Sequence, residues 1–175
     1  MNIPETIVLM GAPGAGKSTV GPKLARRLEK DFIDVDVVIE QREGEPIPEI
    51  FLTRGEPAFR EIERQVTLEL IQQPGVISLG GGAIMNDEVR AALKDVHVVW
   101  LQVDAAHASR RVGLNGNDRP LLAGGVHSTM VKLLNQRLPL YGEVATQRVD
   151  TNQLRASAVV RQVLAGFGID EPEDA

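Results

Sequence analysis

The chain contains no cysteine, which excludes a disulfide framework, a thiolate zinc site and a cysteine nucleophile. Positive charge is also scarce. Nineteen Lys and Arg face 24 Asp and Glu, a net charge of -5, which argues against a broad nucleic-acid-binding face and leaves only local basic sites. No apolar run approaches the roughly 20 residues of a membrane span, and "MNIPETIVLM" lacks the basic start and long apolar stretch of a leader. A cytoplasmic protein with no membrane or nucleic-acid partner is therefore expected. No internal repeat is present, and only the acidic end, residues 169–175, reads as a disordered tail.

What is present fits one folded domain, expected over residues 1–168 of the 175, with 43% hydrophobic and 25% charged residues. Short apolar runs recur at residues 6–10, 32–35, 75–79, 96–101 and 147–151. Longer stretches between them have helical spacing: Val20, Leu24, Ala25 and Leu28 share one face, as do Phe59, Ile62, Val66 and Leu70. This alternation predicts an α/β fold, a parallel sheet covered by helices on both faces, with ligands beyond the carboxyl ends of the strands. Pro22 conflicts with the helix that should begin near Gly16 or Lys17, and a local kink is expected there.

The stretch "GAPGAGKS" places Gly11, Gly14, Gly16, Lys17 and Ser18 in the spacing G-x-x-x-x-G-K-[ST] between a strand and a helix. Such a loop turns its backbone N-H groups inward around phosphate oxygens at the positive end of the helix. Lys17 is then placed for the β- and γ-phosphates and the Ser18 hydroxyl for Mg²⁺. Motors, switches and small-molecule kinases share this loop, so it indicates a nucleotide without naming a reaction.

Three further features narrow the chemistry. In "FIDVDVVIE", Asp34 and Asp36 share a side if the strand persists, where one could organise Mg²⁺ through water and the other accept a substrate hydroxyl's proton; alternatively, the segment is a strand end with a helix cap. Arg60, Arg119 and Arg137 are each of a type that grips a carboxylate or neutralises a transferring phosphoryl group, although any one alone is more often a solvated surface charge. Gly80, Gly81 and Gly82 end an apolar strand, leaving backbone bare for a ligand or simply making a tight turn. Together these residues point to a small anionic alcohol as acceptor.

In their order and approximate spacing, "GAPGAGKS", "FIDVDVVIE", "FREIE", "ISLGGGAI", "RPLL" and "RLPLY" resemble the shikimate kinases, and the resemblance runs from about Ile7 to Asn152. It implies a nucleoside monophosphate kinase-like P-loop fold with a five-stranded parallel sheet, a substrate-binding segment at about 34–63 and a mobile lid at about 112–125. It implies that ATP, with Mg²⁺, phosphorylates the 3-hydroxyl of shikimate on the route to chorismate and the aromatic amino acids. Carried across, Gly14, Ala15, Gly16, Lys17, Ser18 and Thr19 would hold the nucleotide, Arg111 would lie against adenine, and Arg119 would close over the phosphates. Asp36 would bind the shikimate hydroxyls and is the best base candidate, with Lys17 and Arg119 as its catalytic partners. Ser18 and Asp34 would serve the metal. Arg60 and Arg137 would clamp the carboxylate, Gly81 and Gly82 would contribute backbone contacts, and Glu63 would hold Arg60. The resemblance also leans towards a monomer.

Two rivals are a gluconate kinase on the same fold and a regulatory module using ATP as a switch. Arg60, the triple glycine and Arg137 count against the first, and the second needs no carboxylate clamp. His97, in an apolar strand, reads as a core group rather than a metal ligand.

Overall fold

Odd and even residues of the first strand point into different cores. In the computed structural model, which describes residues 2–114 and 125–172, strand β1 (Thr6–Met10) sends Ile7 and Leu9 to one face of the sheet and Val8 and Met10 to the other. All four are at most 1% exposed, so the strand is buried on both sides, the condition a parallel sheet requires.

Four more strands complete the sheet: β2 (Phe32–Asp34), β3 (Gly75–Ser78), β4 (His97–Gln102) and β5 (Gln147–Asp150). Their spatial order is β2-β3-β1-β4-β5, and all neighbours are parallel. The five apolar runs of the sequence become these strands within about a residue at each end. Because β1 lies in the middle, its loop faces β2 and β3 on one side and β4 and β5 on the other.

Helix α1 (Lys17–Arg27) packs Val20, Leu24 and Ala25 into the first core, with α8 (Ala156–Ala165) beside it through Val159, Val160, Val163 and Leu164. The opposite face is covered by α2 (Val35–Glu43), α3 (Ile47–Arg54), α4 (Glu56–Leu70) and α5 (Asp87–Leu93). Phe59, Val66 and Leu70 of α4 are buried there, and Ile62 is partly buried, as their spacing requires. Helices α6 (Ala105–Leu114) and α7 (Val126–Val144) flank the 115–124 segment.

Several expectations change. The strand ends at Asp34, so Asp34 and Asp36 do not share a strand face; Asp34 is the N-cap of α2, its Oδ1 accepting from the N-H groups of Asp36 at 2.9 Å and Val37 at 3.3 Å. Capping satisfies two of the donors that every helix start leaves open, and this local gain ends the strand. Helix α1 runs through Pro22 without a break. Pro22 and Ser18 are exposed, so water can take the Ser18 carbonyl that Pro22 leaves without its helical donor. Residues 112–114 of the expected lid form the last turn of α6; Arg119 and the rest of 115–124 lie outside the described residues. The tail expectation fails at its start: Ile169 packs against the first core, and Glu171 pairs with Arg27 at 2.7 Å.

Candidate active site

At the carboxyl end of β1 the chain makes a loop that ends in two left-handed glycines, Gly14 (φ 83°) and Gly16 (φ 97°). These angles strain any residue with a Cβ, so the glycines determine the loop's shape. Gly16 is the N-cap of α1, and no side chain caps the helix or places an acid in its first turn. The helix start is therefore an open, positive anion site. Lys17 Nζ donates to the Gly11 carbonyl at 2.5 Å and the Ala12 carbonyl at 3.4 Å, spanning the loop.

This loop forms the middle of a cavity of about 630 Å³. On the β2-β3 side the walls include Asp34, Asp36, Ser78 and Gly81; on the β5 side they include Arg111, Thr151 and Leu154. Ser18 and Asp34 both line it, an all-oxygen donor pair of the hard kind that suits Mg²⁺. Capping uses Asp34 Oδ1, leaving Oδ2 as the oxygen available to a hydrated cation. Among the described residues, no cluster of three or more His, Cys, Asp or Glu could hold a metal by itself, so any cation here would have to share its coordination with a ligand such as phosphate.

The triple glycine explains how charged side chains share one small region. A Cβ on Gly80 would lie 2.6 Å from Glu63 Oε1 and 2.7 Å from Asp36 Oδ1. One on Gly82 would lie 1.9 Å from Arg60 Nη1, whereas one on Gly81 would meet only Arg137 Nη1, at 3.6 Å. The bare backbone at Gly80 and Gly82 thus admits two carboxylates and the Arg60 guanidinium, which a larger residue would displace, while Arg137 comes up beside Gly81 at ordinary contact distance. Arg60 Nη1 donates to Glu63 Oε2 at 2.7 Å, and Glu63 is 3% exposed, so this carboxylate depends on its cation. The Arg60 guanidinium also lies 5.3 Å from the Phe59 ring and 5.9 Å from Phe51, whose rings are 4.6 Å apart. Ion pair and aromatic faces together restrict its direction.

On the other side, Arg111 joins three parts of the fold. Its Nη1 donates to the Gly14 carbonyl at 3.1 Å and to Thr151 Oγ1 at 3.0 Å, and its Nη2 to the Thr151 carbonyl. Thr151 is buried, and its hydroxyl donates a hydrogen bond to the Gln102 carbonyl at 2.8 Å. The phosphate loop is thereby tied to the ends of β4 and β5.

Most of the residues singled out in the sequence come together: the loop residues from Gly14 to Thr19, Asp34, Asp36, Gly81 and Arg111 line one cavity. Arg60, Arg137 and Gly82 converge at the end of β3 beside it. Arg119 lies outside the described residues. Thr151, Leu154 and the Phe51–Phe59 pair were not anticipated; a polar residue directly after the last strand was the available signal for Thr151, and none pairs two phenylalanines from different helices. His97 is half-buried in its strand, its Nε2 3.3 Å from Gln147 Oε1, away from the cavity.

Known proteins resemble this chain in sequence and in fold. The family model described as "SKI: Shikimate kinase" matches residues 13–167. A shikimate kinase of Mycobacterium tuberculosis (strain ATCC 25177 / H37Ra) is 48% identical over 170 residues, covering 96% of this chain and 96% of the relative. A solved structure described as shikimate kinase from Acinetobacter baumannii in complex with shikimate superposes with a TM-score of 0.88 at 37% identity, covering 95% of this chain and 93% of the other. A gluconokinase from Sinorhizobium meliloti 1021, at 22% identity and a TM-score of 0.61 over 96% of this chain and 94% of the other, shares the fold alone.

Proposed function

The chain belongs to the shikimate kinase family and is a small-molecule kinase that phosphorylates shikimate with ATP, within aromatic amino acid biosynthesis; from that premise we propose how its own residues divide the work. The observation carrying the proposal is the convergence of Asp36, Glu63, Arg60 and Arg137 on the bare backbone of Gly80 to Gly82, beside a cavity floored by the phosphate loop.

The phosphates of ATP lie on the loop from Gly14 to Thr19, with Lys17 exchanging its loop carbonyls for β- and γ-phosphate oxygens. Arg111, Thr151 and Leu154 enclose the nucleoside end. Ser18 would hold Mg²⁺, with Asp34 supporting it through water. When bound, Mg²⁺ neutralises charge on the phosphates.

Arg60 and Arg137 grip the shikimate carboxylate, Arg60 being held by Glu63, while the Gly81 and Gly82 backbone approaches the substrate. This clamp turns the 3-hydroxyl towards Asp36. The hydroxyl oxygen forms a bond to the γ-phosphorus, the bond from that phosphorus to the β-γ bridging oxygen breaks, and the hydroxyl proton passes to Asp36. Arg119 stabilises charge on the transferring group. The enzyme acts as a monomer.

The deciding assay follows ADP release from Mg-ATP with shikimate, gluconate, quinate or nucleoside monophosphates as acceptor. Release dependent on shikimate alone is expected; ATP binding without acceptor-dependent turnover would sink the assignment. Asp36→Asn should then abolish turnover while leaving the Kd for ATP, titrated directly, nearly unchanged. Turnover within tenfold of wild type would remove Asp36 from the base role.

A further inference from the structure

Two polar atoms on α7 are buried and, among the described residues, make no hydrogen bond of good geometry: Arg137 Nη1 and Tyr141 Oη. The residues are four apart on one helix, which places them as neighbours on the same face. Tyr141 is 1% exposed, and its ring packs against Trp100 with centroids 5.4 Å apart, so the phenol cannot turn away to solvent. Arg137 is only half-buried, and its Nη1 lies by Gly81, where an added Cβ would be 3.6 Å away. One group is therefore fixed and its neighbour adjustable. Burial raises the Tyr141 pKa, while the Arg137 charge and the hydrogen-bonding approach of its guanidinium to the phenol oxygen oppose the rise, so the two groups lie within reach of each other.

A buried donor and a buried acceptor side by side, within reach yet not aligned, form an unfavourable arrangement that one small side-chain adjustment corrects. Engagement of a carboxylate by the outer N-H groups of Arg137 supplies the cause for that adjustment. We propose that Tyr141 is the positioning residue for Arg137: with shikimate bound, its hydroxyl oxygen accepts from Nη1-H and sets the plane in which the guanidinium meets the substrate carboxylate. The proposal rests on Arg137 being part of the carboxylate clamp.

Tyr141→Phe removes the hydroxyl and keeps the ring against Trp100. Because the lost oxygen makes no well-aligned hydrogen bond in the free protein, the variant should melt close to the wild-type temperature. Orientation of a binding group acts on ground and transition states alike, so the shikimate KM should rise about tenfold while kcat and the KM for ATP stay within twofold. In an Arg137→Ala background, whose shikimate KM is itself strongly raised, Tyr141→Phe should add nothing. Tyr141 is the chain's only tyrosine, so ¹³Cζ-tyrosine labelling gives one resonance, which should move on saturation with shikimate in the wild type and stay still in Arg137→Ala.

A shikimate KM within twofold of wild type in Tyr141→Phe, with Arg137→Ala strongly impaired, would reduce Tyr141 to a packing residue and overturn the proposal alone. An unimpaired Arg137→Ala would instead overturn the clamp, and the proposal with it.

Discussion

Alanine placed in turn at Gly80, Gly81 and Gly82 should give three different enzymes, although the substitution is the same and the positions are consecutive. None of the three has a positive φ, so backbone strain does not confound the comparison. At Gly82 the new Cβ would sit 1.9 Å from Arg60 Nη1 and 2.5 Å from its Cζ, so the guanidinium must leave its place. It can do so, since the side chain is 38% exposed, but it loses its 2.7 Å bond to Glu63 and its position for the substrate carboxylate. A charge-assisted contact of this kind is worth about 2–3 kcal/mol, or roughly 30- to 150-fold in the shikimate KM. Stranding the buried Glu63 also destabilises the fold by up to about 3 kcal/mol, an upper value because the moved guanidinium and water compensate in part.

At Gly81 the nearest atom would be 3.6 Å away, an ordinary contact, and the backbone N-H survives; a change within about fivefold is expected. At Gly80 the Cβ meets both Glu63 and Asp36, so kcat should fall by about 10²-fold or more through Asp36. Steady-state kinetics with each substrate varied, together with urea midpoints, distinguishes the three. A Gly82→Ala enzyme with shikimate KM within threefold of wild type, or Gly81→Ala as impaired as Gly82→Ala, would refute the claim that these glycines make room for side chains.

Arg111→Ala cuts the bonds linking the phosphate loop to Thr151, so the KM for ATP should rise about tenfold with the shikimate KM unchanged, by the same kinetics. Arg119→Ala should lower kcat by about 10²-fold or more while the shikimate Kd, titrated directly, stays within a few-fold. Thr67 is 0% exposed, and its Oγ1 has no hydrogen-bond partner among the described residues, so Thr67→Val should gain about 1 kcal/mol, raising Tm by roughly 2–4 °C in a calorimetric scan. Burial holds the His97 pKa below its ordinary 6.5 against a smaller opposing contribution from Gln147. The unfolded chain then binds a proton before the native one as pH falls, so stability is full above about pH 6.5 and declines below it, at no more than about 1.4 kcal/mol per pH unit from this group. Urea midpoints between pH 7 and 5 should fall less steeply in His97→Gln.

The sheet and the phosphate loop were legible because both are written in local patterns. Strands buried on both faces appear as unbroken apolar runs, and the loop's left-handed turns need glycine at fixed spacing whatever surrounds them. The end of the second strand was less legible because Asp34 fits two patterns, a strand partner of Asp36 and a cap for its N-H, and only the folded backbone chose the cap. Likewise, the length of α6 depends on packing that its glycine-containing sequence, "AAHASRRVGL", does not reveal.

The amino-acid sequence alone, then, determined the class of fold, the nucleotide loop and most residue types of the site, because each follows from short-range periodicity or from chemistry carried by a motif. Only the tertiary structure decided what those residues do for one another. Arg60 is separated from Gly82 by 22 positions, and Arg111 from Gly14 by 97, yet each pair is in contact because parallel strands bring their carboxyl ends to one edge. Distances of that kind depend on how the helices pack across the sheet, and no local pattern records them.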